Sequence, residues 1–142
     1  MKKFLLIIIF MSTIHVTVYS QQLKSYETGN TLYYMDGNRI KSYSSGNTLY
    51  YIDGIRFKNY ETGNTIYYLD GVKINNYETG KTLYYIDGVK VKNYESGNTL
   101  YYMDGVKIKN YDNGNTKYYF EGGYIPTWVI VCMMSARLIS YK

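Results

Sequence analysis

Lys24-Ser25-Tyr26-Glu27-Thr28-Gly29-Asn30-Thr31-Leu32-Tyr33-Tyr34-Met35-Asp36-Gly37 returns, with few changes, every 17 residues. The units run 23–39, 40–56, 57–73, 74–90, 91–107 and 108–124, six in all and without a gap. A fixed period of this kind marks a repeat architecture. Each copy is too small to bury its own apolar face and shelters it against its neighbours.

Every unit carries two different turn signals. Met103-Asp104-Gly105-Val106 reads as a two-residue Asp-Gly loop of type I′, and Asp36-Gly37, Asp53-Gly54, Asp70-Gly71 and Asp87-Gly88 repeat it. Tyr94-Glu95-Ser96-Gly97-Asn98 fits a three-residue loop that ends on a left-handed glycine in a G1 bulge. Six strand residues, two loop, six strand and three loop then fill the 17 positions. Alternating aromatic and β-branched residues favour strands over helix, and runs this short hold no stable isolated helix.

The expected register sets Met103 opposite Val106, Tyr101 opposite Ile108 and Thr99 opposite Asn110, all on one apolar side of the pleat. Asn98, Leu100, Tyr102, Lys107, Lys109 and Tyr111 take the other side. The first tyrosine of each pair is thereby placed in the core, and the second on a mixed aromatic and basic surface. Loops that return the chain without stagger supply little shear for a barrel. The predicted fold is therefore all-β, with six hairpins stacked as a solenoid or fanned about an axis.

The ends differ from the body. Lys2 and Lys3 precede the apolar run Phe4 to Met11, and Val18-Tyr19-Ser20 satisfies a signal-peptidase site, so residues 1–20 read as a signal peptide. The repeats then occupy 21–124. Residues 125–142 form an apolar closing segment, Ile125-Pro126-Thr127-Trp128-Val129-Ile130-Val131-Cys132-Met133-Met134 and beyond, holding the only proline, tryptophan and cysteine. The expectation is a buried closing strand or plug, the alternative a segment that docks on a membrane or partner. Cys132 reads as a small core hydrophobe.

Composition narrows the chemistry. The single histidine, His15, lies in the leader, so a mature chain has no Ser-His or Cys-His nucleophile and no Cys/His zinc set. Ten of the 11 acidic residues sit at the two repeated turns, where turn chemistry explains them without catalysis or calcium. No enzyme activity, cofactor or metal is expected. The repeat body carries 12 basic against 11 acidic residues, too even a balance for nucleic acid.

Gly97-Asn98-Thr99-Leu100-Tyr101-Tyr102-Met103-Asp104-Gly105-Val106 resembles the short aromatic hairpin repeats of bacterial β-flower proteins, which are arranged about an axis. It is also similar to choline- and cell-wall-binding repeats, which build hairpin solenoids with aromatic ligand cages. Tyr111-Asp112-Asn113-Gly114 resembles the tyrosine-aspartate repeats of secreted shell proteins. Together with the leader and the missing catalytic residues, these resemblances imply an exported, non-enzymatic protein, secreted or periplasmic, at the bacterial cell envelope. Tyrosine rings stack on sugars, and an array gives avidity for a polymer. The candidate ligand-binding residues are Tyr34, Tyr51, Tyr68, Tyr85, Tyr102, Tyr60, Tyr77 and Tyr94, with a glycan or surface polymer as partner. The alternative is a structural protein that self-associates through its edges or tail.

Overall fold

The computed structural model describes residues 20–140. The leader expected over 1–20 lies, except for Ser20, outside the described residues. Six long strands carry the paired tyrosines: β2 (Thr31–Asp36), β4 (Thr48–Asp53), β6 (Thr65–Asp70), β8 (Thr82–Asp87), β10 (Thr99–Asp104) and β12 (Thr116–Glu121). They alternate with shorter ones: β1 (Gln21–Ser25), β3 (Arg39–Ser42), β5 (Arg56–Asn59), β7 (Lys73–Asn76), β9 (Lys90–Asn93) and β11 (Lys107–Asn110). One helix, α1 (Thr127–Ser135), follows. Each strand pairs antiparallel with its neighbours in sequence, and β1 pairs with β12, so the twelve strands close into a barrel.

Closure corrects the expected solenoid or fan, and the register explains it. Asp104 pairs with Lys107, and Lys107 pairs with Tyr119, the counterpart of Tyr102 one unit on. Each unit therefore steps back two residues along the strand. Six such steps give a shear of twelve, equal to the number of strands. That ratio, shared with the eight-stranded TIM barrel, tilts strands by about 36°. Strands about 4.8 Å apart at this tilt enclose a cylinder roughly 22 Å across.

The turns differ from expectation by one residue. Asp104 is the last paired strand residue, and the loop is Gly105-Val106. Gly105 has φ 58°, and Arg137 is the only non-glycine with positive φ among the described residues, so the turn is the Gly-X type II′ kind. Ile108 consequently faces Met103, and Asn110 faces Tyr101. The slip is of two positions, so the faces keep their assignment. Val106, however, leaves the core face for solvent. The strand bulge reverses two further assignments: Thr99, expected on the apolar side, pairs with the outer-face Lys92, and Leu100, expected outside, packs against the core.

At the opposite end the loop has four residues, Tyr94–Gly97, inside a bond from the Asn93 amide to the Asn98 carbonyl (2.9 Å). Asn93 Oδ1 accepts from the Ser96 amide at 2.9 Å, and Asn59 and Asn76 serve their loops alike. In the first loop Ser25 Oγ accepts from Thr28 at 3.3 Å, a longer reach from a shorter side chain. The expected bulge lies deeper, at Leu100 and its equivalents, where the register shifts between Thr99 and Tyr101.

The lumen is filled. Leu23, Ile40, Phe57, Ile74, Val91 and Ile108, one from each unit, form a fully buried ring. Val129 to Met134 are buried in succession, so α1 is enclosed on every side. A helix about 10–12 Å across fits this bore with one layer of wall side chains around it. The expected plug is thus present, as a helix instead of a strand. With β1 and β12 joined there is no edge for another strand, and a segment threading an apolar lumen must satisfy its own backbone. The Tyr33 hydroxyl donates to the Leu138 carbonyl, and the Ser140 amide donates to Tyr118 Oη, both at 3.0 Å. These bonds tie the plug to the wall, and Val129 to Met134 face the lumen side chains instead of solvent.

Candidate binding surface

With the lumen occupied by α1, contact with another molecule falls to the outer wall and the two rims. Outward-facing positions along each long strand hold the second tyrosine and a terminal carboxylate, Asp in five strands and Glu121 in β12, and the short strand beside it holds lysine. These form a repeated seam. The second tyrosine of each unit meets the loop tyrosine of the next in an edge-to-face pair: Tyr34–Tyr43, Tyr51–Tyr60, Tyr68–Tyr77, Tyr85–Tyr94, Tyr102–Tyr111 and, across the closure, Tyr119–Tyr26. Centroids are 6.1–6.4 Å apart and ring planes 85–90° apart. The loop tyrosines are 45–58% exposed, and the second tyrosines are half-buried. The eight expected ligand-binding tyrosines all belong to this girdle. Tyr26, Tyr43, Tyr111 and Tyr119 complete it.

Lysine crosses most seams. Lys41, Lys58, Lys92 and Lys109 reach back to Asp36, Asp53, Asp87 and Asp104, and Lys24 pairs with Glu121. Four of the five expected turn aspartates, all but Asp70, are therefore neutralised on the wall. The Lys92 hydrogen bond holds the Asp87 carboxyl below its ordinary range, and Lys109 does the same for Asp104. The same five lysines lie 5.3–5.9 Å from the ring centroids of Tyr34, Tyr51, Tyr85, Tyr102 and Tyr119. Arg39, Lys73, Lys90 and Lys107 sit over loop tyrosines in the same way. Such cation–π contacts occupy ring faces that a ligand would otherwise use.

One seam departs from this pattern. The lysine slot reads Lys24, Lys41, Lys58, Asn75, Lys92, Lys109 around the barrel. Asn75 is 3% exposed and its Oδ1 has no hydrogen-bond partner. Neither Tyr68 nor Tyr77 has a cation over its ring, which holds for no other pair among the described residues. A groove opens beside Tyr77, lined by Asn64, Thr65, Ile66, Asn76 and Glu78. An equivalent groove lies three units away beside Tyr26, with Lys117 in the place of Ile66.

No protein-family model, curated protein or solved structure matches this chain. Its surface is read from its own chemistry.

The sequence reading singled out the tyrosines and missed Asn75, whose signal is the one polar, uncharged residue in the aligned lysine slot. Cys132 is buried beside the lumen tyrosines, and burial pushes its thiol well up, which keeps it protonated and inert. Among the described residues no group of three or more His, Cys, Asp and Glu could hold a metal ion.

Proposed function

We propose that the barrel binds an uncharged glycan or surface polymer of the cell envelope on its outer wall, with the Tyr68–Tyr77 seam as the principal contact. The observation that carries this reading is the pair of rings left without cations beside a groove that offers an aromatic face, two amides, a hydroxyl and a carboxylate. Sugars are held by that combination, ring stacking plus convergent hydrogen-bonding groups. Asn75 supports it further, because a short amide where the other seams hold a lysine frees Tyr68. The remaining seams add weaker copies of the contact around the wall, so the protein suits cross-linking of strands more than wrapping along one.

The export expected from the leader agrees with this role and belongs to the same proposal. The alternative, self-association through strand edges or the tail, has little to use. The described strands leave no free edge, and the tail fills the lumen.

Retention on insoluble peptidoglycan and on cellulose tests the reading. Tyr68→Ala with Tyr77→Ala should weaken retention by about threefold to tenfold per ring. Asn75→Lys, which restores the common seam, should weaken it without altering the circular-dichroism spectrum. Equal retention of Asn75→Lys and the unaltered protein, or no retention on either polymer, would discard the proposal.

A further inference from the structure

The rim that carries the glycine turns is apolar at its tips and basic behind them. The residue after each turn glycine has no packing duty: Asn38 fills the place in the first hairpin and donates from Nδ2 to the Ile52 carbonyl at 2.9 Å. Yet the four following hairpins hold Ile55, Val72, Val89 and Val106 there, each 53–57% exposed. A single exposed aliphatic residue is ordinary, whereas the same slot filled on four adjacent hairpins is a pattern the fold does not require. Tyr124, 51% exposed, extends the arc past the last hairpin.

Charge is divided between the two ends of the barrel. The half of the wall toward the glycine turns holds ten lysines and arginines, from Lys24 to Lys109, against six acidic residues, Asp36 to Glu121. The opposite end holds Glu27, Glu61, Glu78, Glu95 and Asp112 in its loops, with Lys81, Lys117 and, past the end of α1, the exposed Arg137 as cations. The apolar tips therefore project from the positive end.

We infer that this end seats on an anionic lipid surface, with the aliphatic tips entering the headgroup region and the basic band facing lipid charge. A lipid surface fits better than a second protein for a geometric reason. Tips on neighbouring hairpins stand roughly 12 Å apart along the rim, two tilted strand spacings. A protein partner needs a contiguous, closely packed patch, whereas a bilayer accepts separate apolar tips without shape complementarity. Lysine and arginine stems can also extend toward the headgroups while their charge stays in water, and tyrosine is at home at that depth. This inference is independent of the Tyr68–Tyr77 seam, which lies on the side wall.

The test compares the full chain with the variant I55N/V72N/V89N/V106N, in which every tip takes the residue already present at Asn38. The N-terminal apolar run is common to both. Vesicles contain phosphatidylcholine alone or mixed with phosphatidylglycerol, and a brominated lipid reports contact with Trp128, the only tryptophan, in the first turn of α1 at the same end. The expected result is flotation with the anionic vesicles and quenching of Trp128, both falling about tenfold or more in the variant and with added salt. Equal quenching in the two proteins, or none in either, overturns the inference. So does a wild-type protein that forms concentration-dependent oligomers through these tips and ignores vesicles.

Discussion

The two faces of this barrel wall follow different rules. Outward, five of six seams repeat one arrangement of tyrosine pair, lysine and carboxylate. Inward, equivalent positions hold Leu23, Ile40, Phe57, Ile74, Val91 and Ile108, and the next layer holds Met35, Ile52, Leu69, Ile86, Met103 and Phe120. A six-fold wall around a single helix cannot stay six-fold inside, because each hairpin meets a different side of α1. Close packing then adjusts volumes one unit at a time. Phe57, the largest of its ring, stacks on Tyr50 at 4.8 Å and tilts against Tyr67 at 6.1 Å. Nothing asymmetric presses on the outer face. Divergence among the copies therefore means packing when it points inward, and calls for another explanation when, as at Asn75, it points outward.

The sharpest way to break this comparison is to treat the inside as if it were the outside. Ile130→Asp places a carboxylate at a fully buried position inside an apolar lumen, and a buried unpaired charge costs several kcal/mol. Against a typical domain stability of about 5–15 kcal/mol that is enough to abolish the fold. The far-UV circular-dichroism spectrum should lose its strand signal, with no cooperative thermal transition remaining. Lys92→Ala on the outer face should leave both in place. Deleting residues 125–142 removes the plug itself and should resemble Ile130→Asp.

The next largest effect comes from the same inner ring without charge. Phe57→Ala leaves a void beside Tyr50 and Tyr67 in the core, and should cost about 3–5 kcal/mol in urea unfolding. Val91→Ala, at the equivalent place two units on, deletes less and should cost clearly less. If the two substitutions cost the same, the inner ring would not be tuned unit by unit around α1.

These contrasts also mark what the sequence made legible. The period, the existence of hairpins at both glycine turns and the faces from Tyr101 onward were readable, because a two-residue alternation survives a register error of two. That is why Ile108 was assigned to the core correctly while its partner was not. The bulge at Leu100, by contrast, breaks the alternation and reverses Thr99 and Leu100. Val106 was misplaced because Asp-Gly and Gly-Val each spell a good two-residue turn, and local propensity does not choose between them. Closure was illegible for a related reason: it depends on a two-residue step per unit, set jointly by the turn and by the bulge at Leu100. Once closure is known, the helical state of Val129 to Met134 follows, because the barrel leaves no edge to extend. The tyrosine girdle could be read from sequence. The importance of Asn75 could not, because a lysine slot gains meaning only when its partners are known to be an aspartate and two rings.

The smallest predicted effect distinguishes the faces by pH. Outside, Asp87 and Asp104 are held below their ordinary range by lysine, so their contribution is present at neutral pH and is lost as pH falls through the acidic range. Both pairs stand in water, so acid should lower the unfolding midpoint only slightly, and salt should blur the change. Inside, burial pushes Tyr101 well above the ordinary tyrosine value, and raises Tyr33, Tyr67 and Cys132 as well. Such groups keep their protons in the barrel while the unfolded chain loses them, so stability is full below the unfolded-state values and falls as pH rises past them. Each contributes a slope of about 1.4 kcal/mol per pH unit once the unfolded chain has ionised and until the folded group does too. Urea midpoints measured across pH should therefore decline gently below pH ~4 and steeply above pH ~9–10. A symmetrical profile would mean that the lumen tyrosines titrate as if in water, and that the plug does not seal the bore.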